Sequence, residues 1–211
     1  MSLLNNEILG NLTLAAGSSA TVQVVLIALM FAVTRYPYGI ISDYFYALTP
    51  LLILPIILVL HKLPGNNAQL IWTVFQILGV IGVVIVSTGQ ILLLLKLIDF
   101  KKSVWSNSFG MGFVGIPVLA YANYGMRNAS IPAGFNLIGF ILGFAMIIGI
   151  PAALFFLESL AEMGHSSFEW SKANPLLYVV TFAGILAQIG LPVWLLWMAR
   201  LIQTGKFMFS W

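Results

Sequence analysis

Gln76, Ser87 and Gln90 recur with Gly79 and Val83 at intervals of three and four through an otherwise apolar stretch. That spacing gathers polar and small side chains on one side of a helix. Carboxamides and hydroxyls both donate and accept, so the stripe offers hydrogen bonds to neighbouring helices or one wall of a polar cavity. Asn136 and Gln188 stand in two further apolar runs and are the residues that would complete such a cavity. None of these groups ionises near neutral pH, and each must face protein or water rather than lipid.

Residues with stronger chemistry collect in one connection, where Glu158, Glu162, His165, Glu169 and Lys172 lie within a short distance of sequence. Carboxylates beside a histidine can exchange protons with a substrate, which points to an enzyme acting on a lipid or isoprenoid. The competing reading is a solvated loop, folded in part as a short helix on the membrane. No catalytic residue is assigned, because no G-x-S-x-G elbow and no intramembrane serine with a mid-span His or Asp is present. No metal site is expected from His61 and His165, which lack H-E-x-x-H or comparable spacing. Cysteine is absent, which removes disulfides, thiolate metal sites and cysteine nucleophiles. Gly110-Met111-Gly112-Phe113-Val114-Gly115 matches G-x-G-x-x-G, but that pattern cradles a dinucleotide only between a strand and a helix. In an apolar run its glycines let helices approach. No cofactor is implied; a lipid or a single pigment is the occupant left open.

The elements that must carry these residues follow from composition. Of 211 residues, 61% are hydrophobic and only 7% charged, where a soluble domain carries roughly 25% charged residues. Backbone groups facing hydrocarbon must be satisfied inside a helix or a closed barrel. The apolar runs are far longer than barrel strands and lack their alternation, so the reading is an all-α, polytopic transmembrane helix bundle forming one membrane domain. About 20 apolar residues cross the roughly 30 Å hydrocarbon layer. On that ruler about six spans are predicted, at Gly17 to Thr34, Tyr46 to Leu63, Leu70 to Ile98, Phe109 to Tyr124, Pro132 to Leu157 and Pro175 to Ile202. The fourth is the weakest: short, glycine-rich, broken by Pro117, and expected to be a half-buried or discontinuous helix. The first span is expected to act as its own insertion signal.

Packing marks run through the last two spans. Gly139 with Gly143, Ala145 with Gly149, and Ala183 with Ala187 repeat a small residue every fourth position, which lets backbones approach where lipid offers no hydrophobic drive. The partner of those faces, another helix of this chain or another subunit, is not specified by the pattern. Tyr36, Tyr38, Tyr44, Phe45 and Tyr46, with Trp105, Trp170 and Trp211, match the aromatic belts of headgroup depth. Arg35, Asp43, Lys96, Glu158 and Arg200 fall at span ends, so no carboxylate stands mid-membrane as a proton relay would require.

The net charge of +3 is scattered over helix ends, which argues against a nucleic-acid partner. One side of six spans receives Lys62, Arg127, Arg200 and Lys206, the other Arg35, Lys96, Lys101, Lys102 and Lys172. The tight group of Lys96, Lys101 and Lys102 favours a cytoplasmic loop there and both termini outside. Asn11 and Asn128 would then face outward as glycosylation triplets, with ordinary polar loop residues as the competing reading.

Leu95-Lys96-Leu97-Ile98 and Ala199-Arg200-Leu201-Ile202 close the third and sixth spans alike, so two three-helix halves, 1–105 and 106–211, are one organisation, inverted as in some transporters. From Ile131-Pro132-Ala133-Gly134-Phe135 through Leu191-Pro192-Val193-Trp194-Leu195-Leu196-Trp197 to Gly205-Lys206-Phe207, the chain resembles a group of small six-helix prokaryotic membrane proteins of uncharacterised activity. The resemblance implies a prokaryotic cytoplasmic membrane and supplies no site. Three functions follow, in order of preference. The first is a non-catalytic subunit partnered by lipids and other membrane subunits. The second is a small permease or channel using Gln76, Gln90, Asn136 and Gln188, and the third is the lipid enzyme.

Overall fold

The computed structural model describes residues 6–33, 37–60, 69–127, 131–162 and 174–206. Its elements are α1 (Asn6–Ala32), α2 (Tyr38–Leu60), α3 (Gln69–Leu94), α4 (Phe100–Met126), α5 (Ala133–Ile147), α6 (Gly149–Phe155), α7 (Leu157–Glu162) and α8 (Pro175–Gln203). The molecule is an all-α transmembrane bundle. Five stretches are long and apolar enough to cross a membrane: α1, α2, α3, α5 with α6, and α8.

Sequence neighbours are spatial neighbours. Each of α1 to α5 packs on the next, and α8 closes a circle by lying against both α1 and α5. The register is antiparallel at every seam. Along α3 and α4, Gly89 meets Ser106, Gly82 meets Gly110 and Gly79 meets Pro117. Along α4 and α5, Gly125 meets Asn136 and Gly143 meets Leu119, while Gly112 meets Ile150 of α6. Along α1 and α8, Gly10 meets Gln203 and Gly17 meets Leu196. Alternating directions thus bring Asn6 and Gly205 to one end, where they line a common surface hollow. The α7 helix, tied to Lys101 through Glu158, lies at the other.

The fourth stretch, the weakest of the six by sequence, is not among the five long and apolar enough to cross a membrane. It is a continuous helix of 27 residues with Pro117 inside it, running between α3 and α5 through their full depth. Its composition is less apolar because it faces protein on both sides: Ser103, Ser106, Gly110, Gly115, Ala122 and Gly125 are all buried. Where two backbones must come close, smallness matters more than greasiness. Asp99 caps its start by accepting the amide of Lys102 at 2.8 Å.

The break falls in the fifth span instead. Pro151 has no N–H for the carbonyl four residues before it, and α5 gives way to α6 at Ile148. Hydrogen bonds resume on either side, from Ile148 to Phe144 and from Ala152 to Ile148. The third span is shorter than predicted. It ends at Leu94 because Lys96 turns into the left-handed region at φ 59, with Lys96 N–H bonding Leu93 and Leu97 N–H bonding Leu92. That double bond is the Schellman closure, usually built on glycine. In α8 the equivalent residue is Gly205, and Arg200 lies a turn inside the helix, so the two basic residues that suggested a repeat hold different places at their helix ends.

The middle of the circle is filled. Ile53, Ile57, Val83, Val114, Val118, Leu142, Met146 and Leu195 belong to one buried apolar cluster. Tyr121, Phe135 and Trp194 join it as a stack, with Phe135 and Trp194 nearly parallel at 5.5 Å between ring centres and Tyr121 edge-on to both.

Candidate functional site

Three groups of polar side chains stand out within the bundle. The first joins α1, α2 and α8. Gln23 donates to Gln188 Oε1 at 3.0 Å, and Gln188 in turn donates to the Tyr46 hydroxyl. Gln23 is buried, while Tyr46 and Gln188 are half-buried. One turn deeper, the buried hydroxyls of Ser19 and Thr49 share a hydrogen bond of 2.7 Å. The α1 helix lies between α2 and α8, so the chain Tyr46–Gln188–Gln23 ties the first helix to both of its neighbours.

The second group is the stripe of α3. Gln76 donates to the Leu58 carbonyl, in the last turn of α2, at 3.2 Å. Ser87 donates to the Ala47 carbonyl at 3.3 Å. Gln90, buried, turns to α4 and donates to Ser103 at 2.9 Å, while Ser106 donates back to the Ser103 carbonyl. The stripe is therefore shared between two neighbours. Gly79 and Gly82 provide the close approach to Pro117 and Gly110.

Asn136 forms the third, alone. Fully buried, it lies against Gly125, with its amide 3.5 Å from the Ile131 carbonyl and its carbonyl oxygen unpaired. Gln76, Gln90, Asn136 and Gln188 thus face four different sets of partners, and the structure does not bring them to one cavity.

The small residues also find their partners. Gly139 lies under the Trp194 indole and beside Ala122, Gly143 against the Leu119 backbone, and Gly149 against the Ser108 carbonyl. Those contacts are intramolecular, to α4 and α8. The G-x-G-x-x-G glycines divide in the same way: Gly110 faces Val86 and Gly82 of α3, and Gly115 faces Gly143 and Met146 of α5. Ala187 packs at the edge of the core. Ala145 and Ala183 are different: both are buried, and they line an outward cleft between α5 and α8.

Of the acidic connection, Glu158 lies on α7 and pairs with Lys101 at 2.9 Å. The Lys101 hydrogen bond, with the Lys101 charge behind it, holds the Glu158 carboxyl below its ordinary range. His165, Glu169, Lys172 and Trp170, like His61, Arg35, Tyr36, Lys62, Asn128 and Trp211, lie outside the described residues, and the Glu162 side chain is not described. Asn11 sits on α1, where its side chain accepts from Gln203 at 3.3 Å. Among the described residues no group of three His, Asp or Glu could hold a metal ion.

Sequence reading missed the Gln23, Tyr46, Ser19 and Thr49 set. A glutamine amid the first apolar stretch was a usable signal; Tyr46 was masked by the tyrosines around it, which read as an interfacial belt. Comparison with family models, with curated proteins and with solved structures finds no match, so no residue role is carried over from a relative.

Proposed function

We propose that the chain is a non-catalytic integral membrane subunit, a scaffold of helices held in one arrangement for other membrane proteins to assemble on. One observation carries this reading: Gln23, Gln188, Ser87 and Gln90 bond neighbouring helices, and the centre of the bundle is packed with apolar side chains. Interhelical bonds of this kind contribute about 0.6 kcal/mol each, so their use is to fix which helix lies beside which. The lysine group on the α3–α4 connection favours placing that end in the cytoplasm, and the earlier resemblance favours a prokaryotic membrane. Extraction from source cells in a mild detergent, followed by native electrophoresis and identification of companions, tests the reading. Comigration with other membrane polypeptides in fixed ratio is expected. A lone, monodisperse 23.1 kDa chain would overturn it.

A second reading, a small permease, is favoured by Tyr46 and Gln188, which are half-buried and bonded to each other between α2 and α8. Solute flux in proteoliposomes that vanishes with Gln188→Leu and persists with Gln76→Leu would support it; equal flux in both variants would exclude it.

A further inference from the structure

The seam between α5 and α8 differs from the others. Toward the end that holds Asn6 and Gly205 it is closed: Trp194 stacks on Phe135, Gly139 lies under the Trp194 indole, and Leu142 covers Gly190. Toward the opposite end the two helices part. Pro151 bends the fifth span at Ile148, and α6 beyond the bend lies chiefly against α4. A cleft of about 260 Å³ opens there. Ala145 and Ala183 form its buried floor, with Phe144 and Phe182 standing exposed at its rim.

The dimensions select an occupant. On α5 the lining runs from Phe140 to Ile148, about 12 Å of helix axis at 1.5 Å per residue, which stays within one leaflet of a hydrocarbon layer roughly 30 Å thick. The whole space between the side chains, about 580 Å³, divided by that length leaves a section of at most roughly 50 Å². A helix about 10 Å across needs roughly 80 Å², so a partner helix cannot enter, whereas one extended hydrocarbon chain can. All nine lining residues are apolar, so nothing in the cleft would meet a polar headgroup or pigment substituent. In a bundle that crosses a membrane, the molecules surrounding this opening are lipids.

We propose that the α5–α8 cleft is a binding site for a single acyl chain of a membrane phospholipid, taken from the leaflet on the side of α7. The site is independent of the subunit assignment. The purified chain is reconstituted into nanodiscs of phosphatidylcholine carrying a photoactivatable diazirine on one acyl chain, and the sites of crosslinking are mapped by mass spectrometry. Crosslinks concentrated on Phe140, Phe144, Phe182 and Leu186, above those on the exposed Val74, Ile81 and Ile91 of α3, are expected. Ala183→Phe, which fills the floor, is expected to reduce the cleft crosslinks at least tenfold and leave those on α3 unchanged; Ala145→Leu supplies a second filling variant should the first fail to fold. Equal labelling of all lipid-facing helices would overturn the proposal. So would cleft labelling that survives filling.

Discussion

Single residues decide how closely these helices lie. A Cβ on Gly143 would stand 2.6 Å from the Leu119 amide nitrogen and 2.8 Å from its Cα, and backbone cannot step aside. Gly143→Ala is therefore expected to destabilise the bundle by about 1–3 kcal/mol. Gly184, with nothing within 4 Å, provides the contrast: Gly184→Ala should be neutral or stabilising by up to about 1 kcal/mol through helix propensity. Reversible unfolding in mixed micelles measures both. At Lys96 glycine itself is the favoured residue. Its φ of 59 suits glycine, so Lys96→Gly should stabilise by about 1 kcal/mol. The ion pair at Glu158 gives a pH dependence. Its carboxyl is held below the ordinary value of 4.5 by Lys101, so the pairing is in force above that pH and is lost as pH falls through the lowered value. An NMR titration should show the Glu158 midpoint returning upward in Lys101→Ala; an unchanged midpoint would remove the pair. At this scale the stripe Gln76, Ser87, Gln90 was visible in the sequence because period is local. Its partners were not, since Leu58, Ala47 and Ser103 are chosen by the neighbours' register.

Among the elements, length and apolarity located five of the crossing stretches, because hydrocarbon thickness dictates both. The two errors share a cause. Glycine and proline were read as breaks in Phe109 to Tyr124, where they are contact points of a continuous helix. The bend sits instead at Ile148, ahead of Pro151. Whether a small residue interrupts a helix or seats one depends on what faces it, and no local window contains that. The starts of α1 and α2 were placed late for a related reason: Asn6, Glu7, Asn11 and Asp43 are polar but sit on helical turns at the membrane edge. The proposed cytoplasmic placement of the α3–α4 connection is testable on the exposed Leu97. Leu97→Cys, in a chain with no other cysteine, should resist an impermeant maleimide in intact cells and react after lysis. Labelling without lysis would invert the topology.

The whole molecule is a circle of antiparallel helices closed by its last member on its first. Closure is what joins the helices into one body, and it rests on α8 lying between α1 and α5, with Gln23, Gln188 and Tyr46 bonded across that junction. Composition foretold the membrane but not this closure, because contacts between the two ends of a chain leave no trace in local pattern. The most direct measurement uses the absence of cysteine. Asn11 and Gln203, whose side chains meet at 3.3 Å, are replaced together by cysteine and oxidised in native membranes. An intramolecular disulfide that forms in high yield, while the pair Asn11→Cys with the distant Val84→Cys gives none, is the predicted result. Disulfides between chains only, or equal yields from both pairs, would contradict the closed circle and the account built on it.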